Sequence, residues 1–341
     1  MITSKEFAKI IGMSQSTVSR AMNGSHLVPE EKRQYIQRKA EEYGFVLNSQ
    51  ARSLKTNKTY TLGVLFPILF ESLSKNMMLT HIYDILQREL SKSEYDIMVV
   101  FDNGEKKTSA FERIIKSRKV DGFVVLRPRL SERENELLDS YHVPWVALFA
   151  AVQNPAKPNQ FVIDSEQAGF VAGDFYGRQD DRDYIFLTIN DSKTDAKLRK
   201  KGFERGLKAH GKTLDAKKIL RAQISVEGAY QIIIRNKELF LHRKTAIFAH
   251  NDMMALGVIG ALRDIGVSIP QQAEVIGVDG IPHGEWFRPC LTTIRAPLEN
   301  MVYDACECLY RLMRGEEDVP KQRILYSCVL VQRDTTEKEG N

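Results

Sequence analysis

From Tyr60 onward the chain alternates short runs of β-branched and other apolar residues with longer stretches of helical periodicity, and it does so in two successive series. A short apolar run reads as a strand buried on both faces, and the amphipathic stretch after it covers one of those faces. Their alternation therefore specifies a parallel sheet sandwiched between helices. The first series predicts strands at 61–66, 95–101, 122–126 and 144–149, with helices near 76–91, 109–117 and 132–140. The second predicts strands at 161–163, 184–187, 217–220, 246–249 and 274–278, with helices near 166–176, 195–210, 226–236 and 253–265. Two doubly wound α/β lobes follow, and ligands of such sheets sit beyond the carboxyl ends of the strands, so a cleft is expected between the lobes.

The first sixty residues have a different texture. They hold ten Lys/Arg against five Asp/Glu, whereas the rest of the chain balances 39 against 39, so the whole net charge of +5 sits in this head. Between Tyr43 and Tyr60 stand Arg52, Lys55 and Lys58 and no acid. That excess suits contact with a polyanion, though a solvated basic linker has the same composition.

Within the head, Ser4 or Thr3 can cap a helix with Phe7, Ile10 and Ile11 on its apolar side, and Gly12 permits the turn that ends it. Ser14 caps a second helix over 15–22, where Val18 and Met22 are apolar and Gln15, Ser16, Ser19 and Arg20 fall on other faces. A helix with so little apolar surface packs on its neighbour and leaves a polar face free. A helix-turn-helix needs that arrangement, its second helix entering the major groove, where Gln reads adenine and Arg reads guanine. Pro29-Glu30-Glu31 opens a third helix with Tyr35, Ile36, Ala40 and Tyr43 facing inward.

The run from Phe7 to Gly24, with its Thr17-Val18-Ser19-Arg20 and Asn23-Gly24 elements, resembles the head of the lactose/galactose-repressor (LacI/GalR) family of transcriptional regulators. The resemblance continues through Glu41-Glu42-Tyr43-Gly44-Phe45 and Asn48-Ser49-Gln50-Ala51-Arg52-Ser53-Leu54, which is similar to the family's hinge helix. It implies that Gln15, Ser16 and Arg20 read bases, that Ser14, Thr17 and Asn23 touch phosphates, and that Arg52, Leu54 and Lys55 belong to the hinge. Leu54 matches the leucine that the family wedges into the minor groove at the operator centre, bending the duplex so that two half-sites engage a two-fold dimer.

In the body, Arg199-Lys200-Lys201-Gly202-Phe203, Asn251 to Gly257, Val278 to Pro282 and Pro289 to Ile294 resemble the same family. The implied domains are a helix-turn-helix head at 1–46, a hinge at 47–59, a first lobe from 60–162 with 292–326, and a second from 163–291 with 327–341. The helix over 297–314 and a strand near 322–325 return to the first lobe. The positions matched by Asp164, Arg199, Asn251 and Asp279 hydrogen-bond the effector in family members, and carboxylates, Arg and Asn suit the hydroxyls of a sugar or related metabolite. Asn251-Asp252 would serve equally well to cap the helix that follows. Pro67-Ile68-Leu69-Phe70, Ile224 and Gly280 depart from the family pattern and put a typical free sugar in doubt. Arg127, Arg129 and Lys193 offer charge for a phosphorylated effector.

Other function classes fit less well. The sequence has no G-x-G-x-x-G after a strand, no phosphate loop of the Walker type and no G-x-S-x-G elbow, and its seven histidines have no metal spacing, so no enzyme, cofactor or metal is expected. A solute receptor would need export, and neither the N-terminus nor the apolar run 143–152 supplies a signal or a span. The expectation is a cytoplasmic homodimer that binds palindromic operator DNA and a small-molecule effector, or alternatively a phosphocarrier protein as corepressor. Cys290, Cys306, Cys308 and Cys328 read as reduced, buried thiols, and Cys306 and Cys308 point about 200° apart on a helix, too far around it to share a metal.

Overall fold

The computed structural model describes residues 2–22, 25, 27–45, 58–67, 76–102, 109–127, 130–149, 159–189, 194–316 and 318–338. The head holds α1 (Ser4–Ile10), α2 (Gln15–Met22) and α3 (Glu30–Glu42). Thr3, not Ser4, is the first cap: its hydroxyl accepts the Glu6 N–H while the Glu6 carboxylate accepts the Thr3 N–H at 2.8 Å. Gly12 takes φ +67° in the turn, where a side chain would be strained. Ser14 Oγ accepts the Thr17 N–H at 3.1 Å and so caps α2.

Phe7, Val18, Ala21, Ile36, Ala40 and Phe45 build the head's core. Tyr35 and Tyr43, expected inside, are instead 38% and 41% exposed. The inward stripe of α3 is narrow and centres on Ile36 and Ala40, one turn apart. Phe45 turns back after Gly44 and stacks on Phe7 at 4.2 Å, which leaves Tyr43 tilted at the edge, 6.5 Å from the same ring.

The body contains two six-stranded sheets. In the first, β1 (Thr61–Phe66), β2 (Asp96–Phe101), β3 (Gly122–Val125), β4 (Trp145–Phe149), β5 (Asn159–Ile163) and β11 (Arg323–Tyr326) run parallel in the order β11-β5-β4-β3-β1-β2. In the second, the order is β12-β10-β9-β8-β6-β7, from β6 (Asp183–Ile189), β7 (Ile219–Ala222), β8 (Thr245–Ala249), β9 (Ala273–Asp279), β10 (Thr292–Arg295) and β12 (Val329–Val331). Only the short β12 is antiparallel, on β10.

Three sequence expectations change. The strand at 159–163 pairs with β4 and β11 in the first sheet, although the periodicity places it at the head of the second series. The strand near 217–220 starts two residues later, because Ala216–Lys218 form a 3-10 turn that Asp215 caps. The boundary expected at 292 falls after Arg295, since β10 pairs with β9 from Thr292↔Ile276 to Arg295↔Asp279. Strands of three or four residues such as β10 and β12 carry too little pattern to be seen in the sequence.

The helices follow the predicted order: α4 (Met77–Leu90), α5 (Ala110–Lys116) and α6 (Glu132–Ser140) lie in the first lobe. α7 (Ser165–Gly177), α8 (Thr194–Lys208), α9 (Val226–Arg235) and α10 (Asp252–Asp264) lie in the second. α11 (Leu298–Met313) returns to pack on α4 and on β3, β4 and β5. The chain thus passes between the lobes three times, at Asp164, at 296–297 and at 327–328. Gln167 ties the first passage to the third, donating to the Cys328 carbonyl at 3.0 Å and accepting its N–H at 2.8 Å.

The α7–α8 crossing is unusually close, and glycines make it so. A Cβ at Gly169 would stand 2.0 Å from the Arg199 carbonyl oxygen, and one at Gly202 would stand 1.9 Å from that of Glu166. Among the described residues no helix is long and apolar enough to cross a membrane. Cys306, Cys308 and Cys328 are buried free thiols, while Cys290 is only partly buried and so departs from the expectation.

Candidate functional site

In α2, Val18 and Ala21 face the core, which rotates Gln15, Ser16 and Arg20 onto one exposed arc. An advance of about 100° per residue places these three within roughly 140° of one another. Ser14 and Thr17 are already engaged at the helix start: Ser14 Oγ lies 2.7 Å from Thr17 Oγ1 and 2.9 Å from Ser16 Oγ. Asn23, Arg52, Leu54 and Lys55 lie outside the described residues, as do Ile68, Leu69, Phe70, Arg129 and Lys193.

In the second lobe the predicted effector residues separate into two groups. Asn251 caps α10, its side-chain oxygen accepting the Met254 N–H at 3.0 Å, and Asp164 caps α7 by accepting the Gln167 N–H at 2.9 Å. Both side chains do the work that a helix start asks of them. Arg199, in the second turn of α8, and Asp279, at the end of β9, are different, being only 5% and 2% exposed. Arg199 Nη1 donates to the His250 carbonyl oxygen, and its Nε has no hydrogen-bond partner among the described residues.

Asp279 ends β9 with φ +124°, a backbone conformation that a side chain tolerates only when its surroundings enforce it. Burial pushes its carboxyl well above the usual carboxylate range; nearby Arg199 pulls it down, and Asp252 and Asp195 push it further up. Among the described residues no hydrogen bond reaches that carboxyl group. Instead Asp279 lines a cavity of about 450 Å³, together with His81 from α4, Gly280, Arg295, Glu299 and Ser327. The cavity therefore lies where two of the passages between lobes meet the end of β9, and Arg199, Asn251 and Asp164 do not border it.

Arg127, a candidate for binding a phosphate, is spent within the first lobe. Its Nη2 lies 2.5 Å from Glu134 Oε1 and its Nη1 donates to the Asp102 carbonyl at 3.1 Å. Ile224, which departs from the family pattern, is partly buried and packs against the core of the second lobe. Sequence reasoning missed Asp252: it is fully buried, its pKa is raised to about 7 by burial, and it accepts hydrogen bonds from the Gly280 and Ile281 amides and the Thr293 hydroxyl. It also missed the glycines at 169, 173, 202 and 206, whose spacing of four on each helix was the available signal. Among the described residues no cluster of metal-ligating side chains occurs.

A three-helix DNA-binding head on a two-lobed body with a cleft at its strand ends defines a class of ligand-responsive regulators, and comparison with known proteins agrees. The periplasmic binding protein-like domain family matches residues 179–336. The HTH-type transcriptional repressor PurR of Vibrio vulnificus is 28% identical over 341 residues, covering 99% of each chain. A lac repressor dimer bound to operator and an anti-inducer has the same fold, with a TM-score of 0.78 at 21% identity over 98% of this chain and 99% of that one. The transcriptional regulator CelR in complex with cellobiose gives 0.71 at 21% identity over the same shares. Over nearly its whole length the chain is thus similar to DNA-binding transcriptional repressors, which are not enzymes, and it shares their fold.

Proposed function

We propose that the protein represses transcription as a cytoplasmic homodimer on palindromic operator DNA, and that a small molecule held between the lobes at Asp279 sets its operator affinity, with Arg199 a contact that a closed cleft brings to it. The head at 1–46 and hinge at 47–59 contact DNA, with Gln15, Ser16 and Arg20 reading bases and Leu54 wedging the operator centre. The body has lobes at 60–163 with 296–326 and at 164–295 with 327–341, and the first lobe's exposed helices supply the dimer contact. The observation that carries the ligand reading is the Asp279 carboxyl group, buried, strained and without a hydrogen bond among the described residues, on the wall of the cavity.

A buried carboxyl group left without a donor is costly, and a ligand hydroxyl or amine at this point supplies one. Linkage does the rest, since a ligand that prefers one lobe arrangement shifts the population that binds DNA. Asp164 and Asn251 are proposed as flanking contacts that a closed cleft brings to the ligand. The test is thermal unfolding of the full chain against sugars, sugar phosphates, nucleobases and organic acids, repeated with Asp279→Ala. A compound that binds the native state raises the melting temperature, and Asp279→Ala is expected to abolish the rise. A rise unchanged in that variant removes Asp279 from the site.

A further inference from the structure

A second buried acid lies beside the cavity wall without lining it. Asp252, the first residue of α10, is fully buried, and its two carboxylate oxygens are divided between two neighbours. Oδ2 accepts the Gly280 N–H at 2.8 Å and the Ile281 N–H at 2.9 Å, the two amides that follow Asp279. Oδ1 accepts the Thr293 hydroxyl at 2.6 Å, and Thr293 Oγ1 in turn accepts the Gly280 N–H at 3.2 Å.

The arrangement is tight on every side. A Cβ at Gly277 would come within 2.2 Å of Asp252 Oδ1, so the strand is bare where the carboxylate lies against it. Gly280 has φ +75° directly after the +124° of Asp279, and a Cβ there would meet the Arg295 side chain at 2.5 Å. Two consecutive residues in the left-handed half of conformational space relax unless something fixes the amides that follow them. Thr293 sits in β10, two residues before the chain leaves the second lobe through Ala296 and Pro297 toward α11.

We propose that Asp252 is the positioning residue of the cleft: it holds the Asp279–Gly280 turn in its strained form and, through Thr293, locks that turn to the strand that crosses into the first lobe. This rests on Asp279 being the ligand-facing group. A ligand that moves Asp279 must then move β10 and the crossover with it, which gives the site a mechanical connection to lobe arrangement. Asp252 touches no ligand in this scheme; Asn251 beside it caps the helix, and the adjacent pair thereby divides two tasks.

Hydrogen exchange of the full chain tests the connection without knowledge of ligand or operator. In Thr293→Val, the Gly280 and Ile281 amides and the segment 292–298 are expected to exchange about tenfold faster, as the loss of one such hydrogen bond dictates, with β6 unchanged. Thr293→Ser, which keeps the hydroxyl, restores wild-type exchange, and Asp252→Ala exceeds Thr293→Val at the same amides. Unchanged exchange at 280 and 281, a loss spread evenly over the second lobe, or a failure of serine to rescue overturns the proposal. If Asp252→Ala does not fold, the valine and serine pair decides alone. Failure here leaves the Asp279 ligand reading standing, because that reading is judged by the melting-temperature response of Asp279→Ala.

Discussion

Arg182 Nη1 lies 2.9 Å from Glu274 Oε1, with side chains 3% and 0% exposed, at the amino-terminal ends of β6 and β9, the opposite edge of the second sheet from the cleft. Burial raises the Glu274 carboxyl above its ordinary value, and Arg182 is the first of the groups that pull it back. Lys244, 3.9 Å away and partly exposed, is too distant to replace it. Arg182→Ala leaves a buried carboxylate uncompensated and is expected to cost about 3–5 kcal/mol in urea unfolding. Lys244→Ala is expected to stay within about 1 kcal/mol. Similar losses for both variants would show that the pair is not the anchor.

The close α7–α8 crossing places Arg199. Because a Cβ at Gly169 would press into the Arg199 carbonyl oxygen, Gly169→Ala must push α8 outward at Arg199, which is proposed as a ligand contact. Overpacking of this kind costs about 1–3 kcal/mol. The expected outcome is a lower melting temperature together with a weaker ligand-induced rise. Gly211→Ala in the loop after α8, where a Cβ meets nothing within 4 Å, carries only the strain of its φ of +70°. Its ligand response is expected to match wild type, and an equal loss in both variants would mean that helix spacing does not govern Arg199.

Stability should depend on pH through Asp252. Burial raises its pKa from 3.8 to about 7, so the folded protein holds this proton across a range in which the unfolded chain has released it. A raised acid contributes stability that is full below the unfolded value and is lost as pH rises through the folded one. Between about pH 4 and 7 the urea midpoint of the wild type is therefore expected to fall relative to that of Asp252→Asn, which cannot ionise, and to level off above that range. Glu274 shifts in the same direction but is present in both proteins and cancels in the comparison, whereas Asp279, which the Asp252 charge pushes up, titrates together with it and belongs to the same effect. Parallel pH curves would place the Asp252 titration elsewhere.

The α/β alternation, the helix order and the head were legible because each rests on local periodicity and caps, such as Ser14 before α2 and Pro29 before α3. Asp252 was not legible as a clamp. Its partners Gly280 and Thr293 are 28 and 41 residues away, and a capping role at the start of α10 explained the Asn-Asp pair well enough. Asn251 does cap α10, while the contacts of its neighbour Asp252 leave no mark in the local pattern. The lobe boundary at 292 failed for a related reason: whether β10 belongs to the lobe behind it or ahead of it is decided by pairing with β9, which no local pattern records.

On the DNA side, the residues proposed to read bases lie on the exposed arc of α2, apart from Ser14, which starts the helix. Arg20 is exposed and lies a turn beyond Ser16, whereas Ser14 is hydrogen-bonded to Thr17 and contributes to the helix itself. Arg20→Ala is expected to weaken binding to a selected palindromic site by about 1–3 kcal/mol per half-site contact, with little effect on random duplex DNA. Leu54→Ala is expected to act the same way, since a minor-groove wedge works only at the operator centre, while salt-dependent binding to random duplex rests on phosphate contacts. Ser14→Ala should instead lower the head's melting temperature by removing a cap. Titrations of each variant on both DNAs at two salt concentrations separate the cases, and equal losses on selected and random DNA for Arg20→Ala would assign that side chain to the phosphate backbone.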